Sequence, residues 1–295
     1  MIVVIDFLFI ILEQSLIHIP LVLGAYITFS LMKIPDLSIE SAYLFGAFFS
    51  SYGISIQSYG IVFSFVSALF LSILGGMLVG LTSSYLTYAG RLSHLLSSIV
   101  TIGLFHGIFQ FFSSSSYISL AAYDNSLVLL PFFEKRPEFF ILLFLSILLC
   151  VGFFFLLKTQ LGHCFSIYGQ NAAFFKQFRI SEMHVFITGV TLANALSGIS
   201  GYLFAQTNNL VELNMGIGKS LFCIMAIILG KSFIKKVDAW LVPIIGIFSY
   251  FLLQQLLLKI GFNLKYFTAL QALIVLIAFV FMNRYSGKRM TGLGI

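Results

Sequence analysis

Nine apolar runs separated by short polar intervals set the strongest limit on what this chain can fold into. They lie at residues 14–33, 40–56, 61–89, 92–112, 138–157, 185–206, 219–231, 238–258 and 266–283. A bilayer core of about 30 Å is crossed by about 20 apolar residues in a helix, and most of these runs reach that length. Of the 295 residues, 60% are hydrophobic and 9% charged, where soluble domains carry about 25% charge. A soluble fold of this size could not cover so much apolar surface. The expected architecture is all-α: a polytopic transmembrane helix bundle of about eight to ten spans, nine on this count, in a single domain over residues 1–295. The second and seventh runs are short, which suits broken or re-entrant helices enclosed by protein. Residues 2–12 are either an interfacial helix or an extension of the first span.

Charge gives the orientation. With the interval Lys158 to His184 placed inside, Lys33, Arg91, Lys158, Lys176, Arg179, Lys231, Lys235, Lys236, Arg284, Lys288 and Arg289 fall inside. Lys135, Arg136, Lys219, Lys259 and Lys265 remain outside, so the split is eleven to five. By the positive-inside rule the C-terminus is cytoplasmic and the N-terminus external. The net charge of +6 is spread through the gaps and forms no long basic run, so nucleic acid is not an expected partner. No basic region precedes the first span, so no cleavable signal peptide is expected. The external interval 113–137, with Ser113 to Ser116 and two prolines, reads as a loop with room for a short surface helix.

Small residues indicate how the spans pack. Gly75, Gly76 and Gly80 cluster in the third span. Gly189, Ala193, Ser197 and Gly201 recur every four residues in the sixth, with Gly198 and Ser200 beside them. Such stripes let backbones approach closely in lipid, where burial of apolar surface gives little drive for association.

No catalytic set emerges. His18, His94, His106, His163 and His184 are scattered without metal-ligand spacing, and no G-x-S-x-G elbow occurs. Cys150, Cys164 and Cys223 read as packed free thiols, and no metal or cofactor is expected. The MGIGKS sequence at Met215 to Ser220 matches the end of a phosphate-binding loop, but Leu213 stands where the first glycine belongs and no strand pattern precedes it, so ATP binding is excluded there. Polar residues at membrane depth carry more weight. Asn194 either bonds one helix to another or lines a pathway. Asp36 or Ser38 can cap the second helix, with Glu40 favoured near its N-terminal dipole. Residues 206–218 (QTNNLVELNMGIG) suit a broken helix or gate as well as an ordinary external loop. Their candidate pathway residues are Glu212, Asn214, Gly216 and Gly218, together with Asn194.

Lys158 to His184 is too long for a turn between spans and too short for a domain. It has helix-compatible stretches on either side of a break at Gly169. Phe174, Phe175 and Phe178 share a face of the second stretch. That face either packs on the underside of the bundle or docks into a partner.

Four segments carry a resemblance: LEQSLIHIPLVLGAYITFSLMKIPDLSIESAYLFGA (Leu12 to Ala47), LGHCFSIYGQNAAFFKQFRIS (Leu161 to Ser181), LANALSGISGYLFAQTNNLVELNMGIG (Leu192 to Gly218) and LLKIGFNLKYFTALQALIVL (Leu257 to Leu276). The chain resembles the permease subunits of bacterial ABC importers of the branched-chain amino acid and ribose type, in particular a subgroup associated with amino acids such as tryptophan. The resemblance implies a non-enzymatic subunit of the bacterial inner membrane. It implies a second permease copy as a homodimer, cytoplasmic ABC ATPase subunits, an external substrate-binding protein and the surrounding membrane lipid as partners. By position, the ATPase coupling surface is His163, Ser166, Gly169, Gln170, Asn171, Phe174, Phe175, Lys176 and Gln177. The chain departs from the family pattern at Ile167–Tyr168, where an arginine-alanine pair is usual, and at Phe178–Arg179–Ile180. The rival classes are a stand-alone secondary transporter, expected to bury an ion-coupling acid or base, and a membrane-embedded lipid enzyme.

Overall fold

The computed structural model describes residues 2–56, 60–113, 115–128, 138–177, 179–233, 239–263 and 266–285, apart from the side chains of 2–5, 176 and 278–285. Phe178, Lys135, Arg136, Lys235, Lys236, Lys265, Lys288 and Arg289 of the sequence reading lie outside that set, as do the side chains of Lys176 and Arg284. Each of the nine apolar runs coincides with a helix. Helix α1 (Ile2–Ala25) continues through a π-helical turn (Tyr26–Leu31). Then follow α2 (Ile39–Ser55), α3 (Ile61–Tyr88), α4 (His94–Phe112), β1 (Tyr117–Ser119) and α5 (Phe139–Lys158). Two short helices, α6 (Gln160–Asn171) and α7 (Phe174–Gln177), lead to α8 (Glu182–Asn208) and β2 (Leu210–Glu212). The chain ends with α9 (Lys219–Phe233), α10 (Leu241–Lys259) and α11 (Phe267–Tyr285). Among the described residues, six helices are long and apolar enough to cross a membrane: α1 with its π turn, α3, α4, α5, α8 and α10. Residues 2–12 thus extend the first span.

Helix α2 is the centre of the bundle. It is buried along most of its length between α3 and α8, and the glycine stripes are what admit it. A Cβ on Gly46 would run into the backbone of Gly198, one on Gly75 into the Phe45 carbonyl, and one on Gly76 into the Asn194 carbonyl. A Cβ on Gly201 would meet the carbonyl of Tyr43. The two stripes read from the sequence therefore face each other and α2. Hydroxyls close the remaining gaps: Ser197 donates to the Ile39 carbonyl (2.7 Å) and Ser200 to the Ile17 carbonyl (2.8 Å). In α1, Pro20 brings no N–H to the carbonyl four residues back. That carbonyl, of Leu16, is taken by the Ser146 hydroxyl from α5 at 3.0 Å, so a backbone acceptor freed in an apolar setting is satisfied by a neighbouring helix.

Two of the sequence expectations need correction. The interval 113–137 holds a strand rather than a surface helix in its described part, since β1 pairs antiparallel with β2, Ile118 opposite Val211. The stretch after α8 is not a broken helix, because Asn209 ends α8 in the left-handed conformation (φ 53°) that asparagine tolerates and the chain turns into that ribbon. The ribbon marks one end of the bundle. Helices α6 and α7 mark the other, where α5 ends and α8 begins.

Candidate functional site

Helices α2 and α9 do not begin at an edge of the bundle. The Ile39 carbonyl bonds Ser197, eleven residues from the end of α8, roughly 16 Å along a helix rising 1.5 Å per residue. Helix α2 therefore starts deep in the bundle and runs toward the ribbon end. Helix α9 starts beside it and runs the opposite way, its Gly230 packing on Val242 at the start of α10. The placement of Asp36, Ser38 and Glu40 at a membrane boundary, expected from sequence, gives way to burial or half-burial in the interior.

A helix N-terminus leaves unpaired N–H groups and a partial positive charge that water or a side chain must satisfy. Acidic side chains stand at both helix starts. Asp36 Oδ1 accepts from the Ser38 N–H (2.9 Å) and the Ser38 hydroxyl (2.6 Å). Its other oxygen accepts from Asn194 Nδ2 at 3.1 Å, and Asn194 Oδ1 lies 3.2 Å from Ser38 Oγ. Asp36 thus closes a turn onto Ser38, the residue at the start of α2, and neither of the two capping candidates bonds the first-turn N–H groups through its side chain. Glu40, in the first turn of α2, accepts from the Ser220 N–H (3.2 Å) and the Ser220 hydroxyl in the first turn of α9. Helices α2 and α9 are thus tied to each other, and Gly216 packs directly on the Glu40 carbonyl.

Toward the ribbon end lies a cavity of about 320 Å³ lined from α1, α8, α9, α10 and α11. Lys219 points into it. The Lys219 ammonium sits 3.0 Å from His18 Nε2 and 4.8 and 4.9 Å from the ring centres of Tyr43 and Phe204. His18 Nδ1 lies 3.0 Å from the Gln14 carbonyl, which can only accept. Nδ1 therefore carries the proton, and Nε2 offers its lone pair to the ammonium. The sequence placed Lys219 outside the membrane; the structure folds it in, because residues 213–218 re-enter the bundle after β2.

At the opposite end, α6 lies against the underside of the bundle. Thr159 caps it through the Gly162 N–H (3.5 Å). Gly169 is no break: it lies inside α6, where a Cβ would strike the Leu31 carbonyl. The helix ends instead at Ala172. Phe165 and Phe175 are buried, and Tyr168 packs on Phe186 and Phe175 with ring centres 6.1 and 6.5 Å apart. Burial raises the Tyr168 hydroxyl pKa above its usual value. Ile167 and Tyr168, where the chain departs from the family pattern, are packed against the core. His163, Gln170, Asn171 and Gln177 face outward and Phe174 is 38% exposed, while Ser166 is half-buried and accepts from Gln170.

The pathway candidates do not converge. Asn194 is bound to Asp36; Glu212 and Asn214 are exposed at the ribbon and the turn after it; Gly216 is buried on Glu40; Gly218, at φ 80°, lines the cavity. His18, Tyr43 and Lys219 form a cluster that sequence reasoning passed over. The available signal was a lysine opening an apolar run just after two glycines. All three cysteines are free, as expected.

A buried half-helix pair inside a multi-pass helical bundle, with an amphipathic helix on one end, defines a membrane transport permease. The chain belongs to the family described as branched-chain amino acid transport system / permease component, whose model matches residues 7–279. It is 30% identical over 279 residues to a tyrosine transport system permease protein of Clostridioides difficile (strain R20291), covering 92% of this chain and 89% of that one. It is 28% identical over 269 residues to an uncharacterised protein of Rickettsia prowazekii (strain Madrid E), covering 85% and 89%. No solved structure matches the chain significantly.

Proposed function

We propose that this permease is the transmembrane subunit of an ATP-binding cassette importer for amino acids. The observation that carries the reading is the seat of α6: its apolar face is fixed on the bundle, with Gly169 against the Leu31 carbonyl, while His163, Gln170, Asn171 and Gln177 present a polar surface to a partner. A cytoplasmic ATPase gripping that surface moves α6. The contact at Leu31 passes the motion to the π turn, then through residues 32–38 to Asp36 and the buried start of α2. Rigid packing favours discrete rearrangements of this kind, in which one bundle half rocks against the other. Lys33, Arg91, Lys158, Arg179 and Lys231 support a cytoplasmic location for the α6 end and the C-terminus. The ribbon end, with Glu212 and Asn214, then meets an external binding protein. The exposed apolar faces of α3, α4 and α5 meet lipid and a second copy of the chain. ATP hydrolysis belongs to the partner. The tyrosine transport relative supports an amino acid as cargo.

Asp36, buried at the bundle centre, favours a second reading as an ion-coupled carrier. Affinity purification of the tagged full chain in gentle detergent separates the two. A stoichiometric ATPase supports the importer. Purification without one, together with uptake that a protonophore abolishes, selects the carrier.

A further inference from the structure

Lys219 holds a positive charge in a cavity whose neighbouring groups give it nothing negative. Its partners are the neutral His18 and the rings of Tyr43, Phe204 and Phe222. Burying an ammonium with only neutral partners is costly. A structural lysine with no task would be replaced at little loss by an apolar residue, since the aromatic shell around it is already packed. Glu40 hydrogen-bonds to Ser220 instead of to the lysine. The cation therefore remains available to an anion arriving from the cavity, whose volume of about 320 Å³ falls within the range of small-molecule sites, about 300–1,000 Å³.

The rest of the wall fits a zwitterion with an apolar or aromatic side chain. The wall also carries Tyr250, Phe251 and Phe267, and Gln14, Gln254 and Gln271 add amide groups to it. Gln271 donates its amide N–H to the Tyr250 hydroxyl. Ring faces and amide oxygens both attract an ammonium group. Gln14 and Thr268 place the cavity near the ribbon end, the end away from α6. We propose that Lys219 binds the α-carboxylate of the cargo amino acid in this cavity, with His18 holding the ammonium in place and the aromatic wall taking the side chain. The proposal rests on the amino acid reading above and goes beyond it by naming the atoms that recognise the cargo.

The test uses the purified full chain in nanodiscs, without ATPase, and reads thermal stabilisation by each of a panel of L-amino acids. Each amino acid is paired with the amine that lacks its carboxylate, such as L-tyrosine with tyramine. At least one aromatic or large apolar amino acid stabilises the wild type, and its amine binds at least tenfold more weakly. Lys219→Gln abolishes the difference, and Lys219→Arg keeps it. The proposal is overturned if no amino acid stabilises the wild type, if the amine binds as well as the acid, or if Lys219→Gln responds like the wild type. The amine comparison needs no variant, so it holds even if Lys219→Gln fails to fold. Failure of the importer reading shows separately, as a missing ATPase in the purification above.

Discussion

Replacing Asn194 by leucine nearly preserves side-chain volume and removes its two donated hydrogen bonds and a longer contact with Ser38 Oγ, whose one proton is directed to Asp36 Oδ1 at 2.6 Å. The Asn194 Nδ2 donates to Asp36 Oδ2 (3.1 Å) and to the Val190 carbonyl (2.8 Å), and its Oδ1 lies 3.2 Å from Ser38 Oγ. The Val190 carbonyl is also an acceptor of the helix repeat, and the Ser38 hydroxyl keeps Asp36 Oδ1 at 2.6 Å. The deficit is therefore one carboxylate oxygen, Asp36 Oδ2, left buried without its donor. An average hydrogen bond between membrane helices is worth about 0.6 kcal/mol, but a buried acceptor left unsatisfied costs about 1–3 kcal/mol. The second figure governs, because the Ser38 N–H pins the Asp36 side chain at 2.9 Å and it cannot turn away. The expected loss is about 1–3 kcal/mol, read as a lower unfolding midpoint at unchanged slope in denaturant titrations in bicelles. A double-mutant cycle with Asp36→Ala should show a coupling of at least about 1 kcal/mol. A loss near 0.6 kcal/mol with no coupling would refute the reasoning.

Glycine substitutions divide by location. Gly46→Val drives side-chain atoms into the Gly198 backbone and should destabilise by about 1–3 kcal/mol or more, whereas Gly103→Ala, with nothing within 4 Å of the new Cβ, should leave the melting temperature unchanged or slightly raised. Glu138 gives a pH dependence: burial first, then the charge of Glu13, raises its pKa to about 7, against hydrogen bonds from Thr207 and Asn125 that lower it. A raised carboxylate pKa means the folded state holds the proton longer than the unfolded chain does. Its contribution is therefore full below about pH 4.5 and is lost as pH rises toward about 7. Glu138→Gln should match the wild type in melting temperature at pH 4 and exceed it at pH 8; equal melting temperatures at both would count against this.

The periodic parts of the fold were legible in the sequence. Nine apolar runs became nine helices, and the stripes at Gly75–Gly80 and Gly189–Gly201 meet around α2 because small side chains are the only ones that fit where backbones touch. Depth was not legible. Hydropathy reports how long a run is, not where it starts, so Asp36 and Lys219 read as boundary charges when they stand at helix starts inside the bundle. Gly169 read as a break because glycine is a poor helix former, yet the close approach of Leu31 requires the missing Cβ. The ribbon escaped notice because three-residue strands are too short to show a period of two. Of the candidate site, the coupling residues on α6 came from position within the family resemblance alone, and the face shared by Phe174 and Phe175 left self-packing and docking equally open. The meeting of His18, Tyr43 and Lys219 was not legible, since three separate helices bring them together.

ATP-driven uptake by the complete complex in proteoliposomes, measured beside ATP hydrolysis for the wild type and for Gly169→Leu, tests the central claim most directly. If α6 transmits motion through its contact with Leu31, the variant inserts and assembles normally and still hydrolyses ATP, but its uptake falls to background. Uptake by Gly169→Leu at the wild-type ratio to hydrolysis would contradict the account.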